Sequence, residues 1–376
     1  MESTNEPLIK QKKKESKIPL ILFFITFFAK LFIIIYLLLT KLPKRPTKFI
    51  DLHLHLDGAI TIDIAKKLAK LQNIPLECKN DEELQSKLSV KEDCESLNEF
   101  LDCFTLANSL LQTKEGISEA IKLIAENIYN HGVIYAEIRF APQKHKEKGL
   151  SQEDAIKAAL DGLNKIKENK IPIKINLILC FMRGDNNDED NKETLKLAEK
   201  YLVKDNGVVA VDLAGAEALF KTHKYEELFK EVKKFGIPFT IHAGEADGPE
   251  SVKKAIEFGA ARIGHGTRAY FDKSVLELIK EKGIFLEMCP TSNRLTRAIE
   301  NMKEYPFMDY LKQGIFVTLN TDDMGIERTT IQKEFEYMEK EFNLNYEQEK
   351  IILLNSVNAA FTSDGVKEEL KKQLGL

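Results

Sequence analysis

The sequence predicts an α/β protein folded as a (β/α)8 barrel, with a helical insertion after the first strand and an apolar helix at the N-terminus. Three observations predict this fold. Short apolar runs rich in β-branched residues alternate with amphipathic stretches, as in βαβ units that build a parallel sheet. A chain of 376 residues suits one barrel with an appendage. Polar residues suited to catalysis stand at the ends of several runs, where a barrel keeps its active site.

Eight apolar runs predict the strands of the barrel. They cover residues 49–56, 133–140, 173–180, 207–214, 238–244, 261–266, 283–289 and 315–322. Between the runs, stretches such as 152–166 and 192–202 repeat apolar residues at the helical period, which predicts crossover helices.

The first connection, residues 57–132, is much longer than the others and is predicted to be helical. Long insertions of this kind often cover a site. Within it, four apolar residues follow the spacing i, i+3, i+4, i+7 and form one helical stripe: Leu97, Phe100, Leu101 and Phe104. The stripe by itself favours ordinary core packing over a lid.

The N-terminal region contains a candidate membrane span. Residues 18–39 are apolar apart from Pro19, Thr26 and Lys30, and a helix of this length crosses the hydrocarbon of a bilayer. A cleaved signal peptide is the alternative, which the absence of a small-x-small site before Lys41 disfavours. The predicted organisation is a basic tail over 1–17, a transmembrane anchor over 18–39, a linker over 40–47 and the barrel over 48–376.

Positive charges flank the candidate span almost evenly, with five before it and four after it, so the charge rule barely selects an orientation. Our hypothesis places the barrel on the extracellular or luminal side of a single-pass protein. The absence of an N-x-Ser/Thr sequon mildly disfavours that side.

The charge of the body limits its partners. Residues 1–48 hold ten Lys and Arg against three Glu, which leaves 45 Lys and Arg against 56 Asp and Glu in the rest. An acidic body without a basic stripe argues against nucleic-acid binding. Five cysteines without a C-x-x-C pair indicate no disulfide framework, and no feature of the sequence indicates an oligomeric state.

The first predicted strand places four polar side chains on one face, because residues two apart in a strand point the same way. These are Asp51, His53, His55 and Asp57. Four polar groups inside a barrel are costly unless they bind something. A single interior histidine is usually a hydrogen-bonded core residue, but His-x-His beside two carboxylates favours a metal site.

Other candidate ligands end later strands: His242, His265, Asp322 and Asp323. Three imidazoles with one carboxylate suit Zn²⁺ with an open position for water, whose pKa the metal lowers to about 7. Glu245, three residues after His242, is a candidate proton donor. His265 is a candidate acceptor of the proton of that water if it is not itself a ligand.

The motifs around these residues together resemble the adenosine deaminase family. In chain order they are DLHLHLDGAI, RFAPQ, ILCFMRG, VDLAG, HAGE, RIGHGT, CPTSN and NTDD. Each motif is weakly specific and the ordered set is highly specific. The resemblance covers about residues 47–360 and implies the (β/α)8 fold of metal-dependent hydrolases.

The resemblance also implies a role for each site residue. One Zn²⁺ per chain is bound by His53, His55, His242 and Asp322. Glu245 protonates the purine N1 while hydroxide adds to C6, and His265 orients and deprotonates the water. The substrate is a purine nucleoside, contacted by His55, by Asp57 at the ribose, by the Gly215 backbone at N3 and by Asp323 at N7. A hydrophobic lid is implied at Leu97, Phe100, Leu101 and Phe104.

Two departures from the family pattern bear on loop shape and substrate preference. Ala216-Glu217 stands where relatives commonly carry Asp-Glu, and Met324-Gly325 stands where many carry Pro. A deaminase of adenine or AMP is the nearest alternative, although HLDG after the His pair resembles the nucleoside enzymes. A membrane-anchored nucleoside-binding protein without turnover is the alternative from another class.

Overall fold

The computed structural model describes residues 27–28, 30–32, 45–91 and 97–376, with the backbone alone for 97–102. Pro46–Leu376 forms one compact unit. No helix among the described residues has the length and apolar character to cross a bilayer. Most of the predicted anchor, residues 18–39, lies outside the described residues, so the described part of the chain does not support the membrane prediction.

Eight parallel strands form the centre of this unit, which confirms the predicted α/β class. The strands are β1 Phe49–His55, β2 Val133–Phe140, β3 Lys174–Met182, β4 Val208–Ala214, β5 Thr240–Ala243, β6 Arg262–His265, β7 Phe285–Met288 and β8 Phe316–Leu319. They pair in chain order as two four-stranded sheets, β1 to β4 and β5 to β8. Every pairing within the sheets is parallel.

Two isolated bridges join the sheets into a ring. Val211 pairs with Phe239 between β4 and β5, and Leu54 pairs with Asp322 between β1 and the end of β8. Strand β8 is shorter than predicted, because the chain leaves the regular ladder after Leu319. The residues that follow β8 are thereby placed against β1.

Helices surround the ring and fill the first connection. They are α1 Ile62–Gln72, α2 Asp81–Leu88, α3 Leu97–Ser109, α4 Lys114–Asn130, α5 Gln152–Glu168, α6 Asp188–Tyr201, α7 Glu226–Lys234, α8 Pro249–Phe258, α9 Lys273–Lys282, α10 Pro290–Leu295, α11 Phe307–Lys312, α12 Ile331–Phe342, α13 Tyr346–Ala359 and α14 Asp364–Leu374. Helices α1 to α4 make up the predicted helical insertion. Helix α5 begins at a capping box formed by Ser151 and Asp154, which satisfies amides that the first turn leaves free.

The alternation of β1 separates core from site. Leu52, Leu54 and Leu56 are fully buried among apolar side chains. On the opposite face, Asp51 and His53 are buried inside the ring. The period of two therefore directs the imidazoles inward and the leucines toward the helix layer, as the sequence predicts.

A buried carboxyl group in α12 gives the fold a pH-dependent stability. Glu334 accepts hydrogen bonds from the Thr291 amide and the Thr329 hydroxyl, and burial raises its pKa from 4.5 to about 7. The folded state therefore holds this proton more tightly than the unfolded chain does. The contribution is complete below pH 4.5 and is lost as the pH rises to about 7, a fall in the free energy of unfolding of about 3 kcal/mol.

We expect Glu334→Gln to remove this component, because the amide does not ionise. Denaturant unfolding of both proteins at pH 5 and pH 8 measures it. The free energy of unfolding of the variant, relative to that of the wild type, should be higher at pH 8 than at pH 5. If the free energies of unfolding of the two proteins differ by the same amount at both pH values, Glu334 is not the source of the pH dependence.

Candidate metal centre and substrate cavity

Imidazole and carboxylate groups converge at the carboxyl ends of four strands. His55 Nε2 lies 3.3 Å from His242 Nε2 and 3.3 Å from Asp322 Oδ1. His53 Nε2 also lies 3.3 Å from Asp322 Oδ1, and His265 Nε2 lies 3.7 Å from Asp322 Oδ2. The structure thus brings together five of the candidate ligands that the sequence predicted: His53, His55, His242, His265 and Asp322.

Two of these residues have left-handed backbone. The φ angles of His265 and Asp322 are 62° and 61°, a conformation that costs about 1–3 kcal/mol for residues other than glycine. Backbone hydrogen bonds hold Asp322 in place, since its amide donates to His53 O over 2.8 Å and its carbonyl accepts from the His55 amide over 2.9 Å. The ring closure therefore sets the position of the carboxylate.

The donor set fits a metal such as zinc. Ligand atoms of His53, His242, His265 and Asp322 lie within 4.8 Å of one another, and His53 Nε2 is buried without a hydrogen-bond partner among the described residues. Burial lowers the pKa of His55 and of His265, which leaves neutral rings with lone pairs to donate. Nitrogen and carboxylate ligands of this kind are those that Zn²⁺ takes in catalytic sites.

The charge of the cluster also suits a cation. Burial opposes ionisation of Asp322, but His53, His265 and His55 hold its pKa well below the usual range. Burial and Arg139 lower the pKa of His53, and Asp322 and Glu287 outweigh them and raise it to about 9. A cation bound here would take the place of a proton on His53, as metal binding to imidazole generally requires.

Two carboxylates that the sequence analysis did not single out orient the histidines. Glu287 Oε2 lies 2.7 Å from His53 Nδ1, and Asp212 Oδ2 lies 2.9 Å from His242 Nδ1. Each carboxylate occupies one ring nitrogen and directs the other, Nε2, into the cluster. In VDLAG and FLEMC, the two-residue period of a strand points Asp212 and Glu287 into the ring. This pattern could have identified both residues from the sequence.

Arg139 of β2 joins these two carboxylates. Its Nη1 lies 2.9 Å from Asp212 Oδ2 and its Nη2 lies 2.8 Å from Glu287 Oε2, while Nη2 also donates to Leu52 O over 2.7 Å. All three charged side chains are fully buried. Arg262 Nε also donates to Glu287 Oε1 over 2.5 Å, so two buried guanidinium groups balance the two carboxylates behind the cluster.

The carboxyl and imidazole groups that the sequence predicted for proton transfer border the cluster. Glu245 Oε2 lies 3.5 Å from His265 Nε2, and the Thr296 hydroxyl donates to Glu245 Oε1 over 3.0 Å. On the far side of the ring, Asn293 Nδ2 lies 3.1 Å from His265 Nδ1. The predicted acid and the predicted base thus lie side by side, and Thr296 and Asn293 orient them.

A cavity of about 610 Å³ opens beside the centre, a volume typical of small-ligand sites. The predicted substrate contacts that line it are His55, Asp57, Gly215 and Asp323. Phe104 lines it as well, although the sequence pattern alone favoured core packing. The side chains of Leu97, Phe100 and Leu101 lie outside the described part of α3.

A close backbone approach shapes this cavity. A Cβ atom on Gly58 would lie 1.7 Å from Asp323 Oδ1, so only glycine fits beside that carboxyl group. Burial raises the pKa of Asp57, and burial together with Asp322 raises the pKa of Asp323 well above its usual range. Both carboxyl groups line the cavity.

A ring of parallel strands with imidazoles and a carboxylate at its carboxyl edge, an acid and base pair and an adjoining cavity defines a metal-dependent hydrolase. The family model for adenosine deaminase matches residues 48–375. The chain belongs to the adenosine deaminase family.

Relatives and solved structures agree with this membership. Adenosine deaminase of Haemophilus ducreyi is 46% identical over 322 residues, which is 85% of this chain and 94% of that protein. The crystal structure of adenine deaminase from Arthrobacter aurescens has 26% identity and a TM-score of 0.79, and the match covers 88% of this chain and 98% of that one. The structure of the N6-methyl-AMP deaminase of Arabidopsis thaliana has 25% identity and a TM-score of 0.74, and the match covers 87% of this chain and 96% of that one.

Proposed function

We propose that this chain hydrolyses adenosine, and 2′-deoxyadenosine, to inosine or deoxyinosine and ammonia. The observation that carries the proposal is the placement of Glu245 and His265 at the edge of the His and Asp cluster, with the two side chains 3.5 Å apart. Family membership and the 46% identity to an adenosine deaminase support the choice of substrate.

We assign one Zn²⁺ to His53, His55, His242 and Asp322, with His265 left for proton transfer. His53 and His242 are held by carboxylates at Nδ1, which supports their role as Nε2 ligands. A zinc ion held by these four residues would lower the pKa of a water molecule so that a nucleophile is available near neutral pH.

The side chains of this protein then carry the protons. His265 takes a proton from the water as its oxygen bonds to C6 of the purine, and Glu245 delivers a proton to N1, so that the ring gains no net charge. The exocyclic amine then takes the proton from His265 and leaves as ammonia as its bond to C6 breaks, while the proton of the C6 hydroxyl returns to Glu245 and a C6 carbonyl forms. Asp57 contacts the ribose, the Gly215 backbone contacts N3 and Asp323 contacts N7, while the stripe Leu97, Phe100, Leu101 and Phe104 acts as a lid.

Ammonia release by the full chain from adenosine, 2′-deoxyadenosine, adenine and AMP tests this function. We expect the highest kcat/KM for the two nucleosides, loss of activity with a chelator, and recovery with one zinc ion per chain. A preference for adenine would favour the activity named for the Arthrobacter structure, and a preference for AMP would indicate a nucleotide deaminase. Nucleoside binding without ammonia release would identify a binding protein.

The membrane anchor over residues 18–39 stays a proposal that rests on composition alone. Protease treatment of intact vesicles that carry the full chain tests both its existence and its side. A body that is digested only after detergent lies outside the cytoplasm, and a chain that washes off the vesicles has no anchor.

A further inference from the structure

One buried carboxylate binds the backbone amides around Glu245. Glu217, in the loop after β4, is 3% exposed. It accepts hydrogen bonds from four consecutive amides: Gly244 at 2.6 Å, Glu245 at 3.1 Å, Ala246 at 2.7 Å and Asp247 at 3.0 Å. Successive amides that point at one anion form a nest, which fixes the conformation of the segment that supplies them.

Glu217 is itself fixed from the neighbouring elements. The Ser251 hydroxyl donates to Glu217 Oε1 over 2.5 Å and lies 2.6 Å from the Thr222 hydroxyl. Arg183 donates to Thr222 Oγ1 over 3.0 Å and to Phe220 O over 2.7 Å. The carboxylate is therefore tied to the end of β3, to its own loop and to helix α8.

The segment that Glu217 binds belongs to neither a strand nor a helix. Strand β5 ends at Ala243 and helix α8 begins at Pro249, so residues 244–248 have no ladder to define their backbone. Glu245 is in this segment, and its side chain contacts only Thr296 and His265 among the pairs described above. Arg268 holds the carbonyl side of the segment, since its amide donates to Gly244 O over 2.7 Å and its Nη1 donates to Ala246 O over 2.8 Å. Glu217 holds the amide side, so the direction of the Glu245 carboxyl group depends in part on the amides that Glu217 binds.

We propose that Glu217 is the positioning residue for the general acid. It fixes the backbone of residues 244–247 so that the Glu245 side chain points at the cluster and the substrate, and it makes no contact with the reacting atoms. The inference rests on the role of Glu245 in the proposed function. A displacement of about 1 Å of a catalytic group can lower a rate about 100-fold.

The test is a double-mutant cycle on the zinc-loaded full chain with adenosine as substrate. The variants are Glu217→Gln, Glu245→Gln and the two combined, with Glu250→Gln as an exposed control at the start of α8. The amide of Glu217→Gln keeps one acceptor oxygen but places N–H groups against the backbone amides. We expect a fall in kcat of about 100-fold, with KM and zinc content unchanged and the control as active as the wild type.

The cycle separates positioning from a general structural role. If Glu217 acts through Glu245, Glu217→Gln causes no further loss in the Glu245→Gln background. A loss of the same factor in both backgrounds, an unchanged kcat, or loss of zinc would overturn the proposal. If Glu245→Gln itself is fully active, the assigned role of Glu245 has failed, and this result is visible without the Glu217 variants.

A second variant covers the case in which Glu217→Gln does not fold. Glu217→Asp keeps the charge, but its shorter side chain cannot reach all four amides. It should fold, bind zinc and show a smaller fall in kcat than Glu217→Gln. If Glu217→Asp is fully active and Glu245→Gln is inactive, the positioning role of Glu217 is overturned, while the proposed role of Glu245 stands.

Discussion

Replacement of Glu245 by glutamine is expected to lower kcat for adenosine by about 1,000-fold while zinc remains bound. The amide matches the carboxyl group in shape but has no acidic proton for the purine N1, and general acid catalysis contributes about 10²–10⁴ to a rate. Zinc is retained because Glu245 is not among the proposed ligands and contacts His265 only at 3.5 Å. Ammonia release and metal analysis of the same sample measure both quantities.

The exposed Glu250→Gln variant is the control for this experiment, because it makes the same chemical change outside the site. Undiminished ammonia release by Glu245→Gln would exclude the residue as the acid. Loss of zinc in that variant would instead place Glu245 among the groups that hold the metal.

Replacement of Arg139 by methionine is expected to damage both the fold and the metal centre. Methionine approximates the length of the side chain but leaves Asp212 buried without a guanidinium partner and leaves Glu287 with Arg262 alone. Breaking a buried ion pair costs about 3–5 kcal/mol, and loss of support behind metal ligands weakens metal binding about 10- to 100-fold. Denaturant unfolding and competition with a zinc chelator measure the two effects.

Arg328→Met is the matched control, because Arg328 is exposed and should change neither quantity. Arg139→Lys keeps the positive charge but lacks the two guanidinium nitrogens that contact the two carboxylates. It should therefore bind zinc more weakly than the wild type and more tightly than Arg139→Met. Wild-type zinc affinity in Arg139→Met would show that the carboxylates orient the histidines without the guanidinium.

The class of fold and the centre of the site follow from local pattern. The strand period directs His53 and His55 to one face of β1, and the carboxyl ends of parallel strands meet at one edge of a ring. His242, His265 and Asp322 could therefore be grouped before their distances were known. The roles of Asp57, Gly215 and Asp323 came from the family resemblance, since no spacing assigns a purine nitrogen to a residue.

The groups that support the site could not be read from the sequence. Glu217 binds amides in a loop that follows the next strand, and its partners are backbone atoms that have no residue signature. Arg139 joins Asp212 and Glu287, which come from distant strands and meet only in the closed ring. The apolar stripe near Phe104 was ambiguous, because a helix face that covers a cavity has the same period as one that fills a core.

The bridge between Leu54 and Asp322 has a consequence for the order in which the protein matures. His53 and His55 are in the first strand and Asp322 follows the last one, so the complete ligand set exists only after almost the entire barrel has been synthesised and has closed. A fragment that ends before β8 retains the histidines but lacks the carboxylate. With the proposed ligand set, metal binding by all four residues would therefore be coupled to completion of the ring.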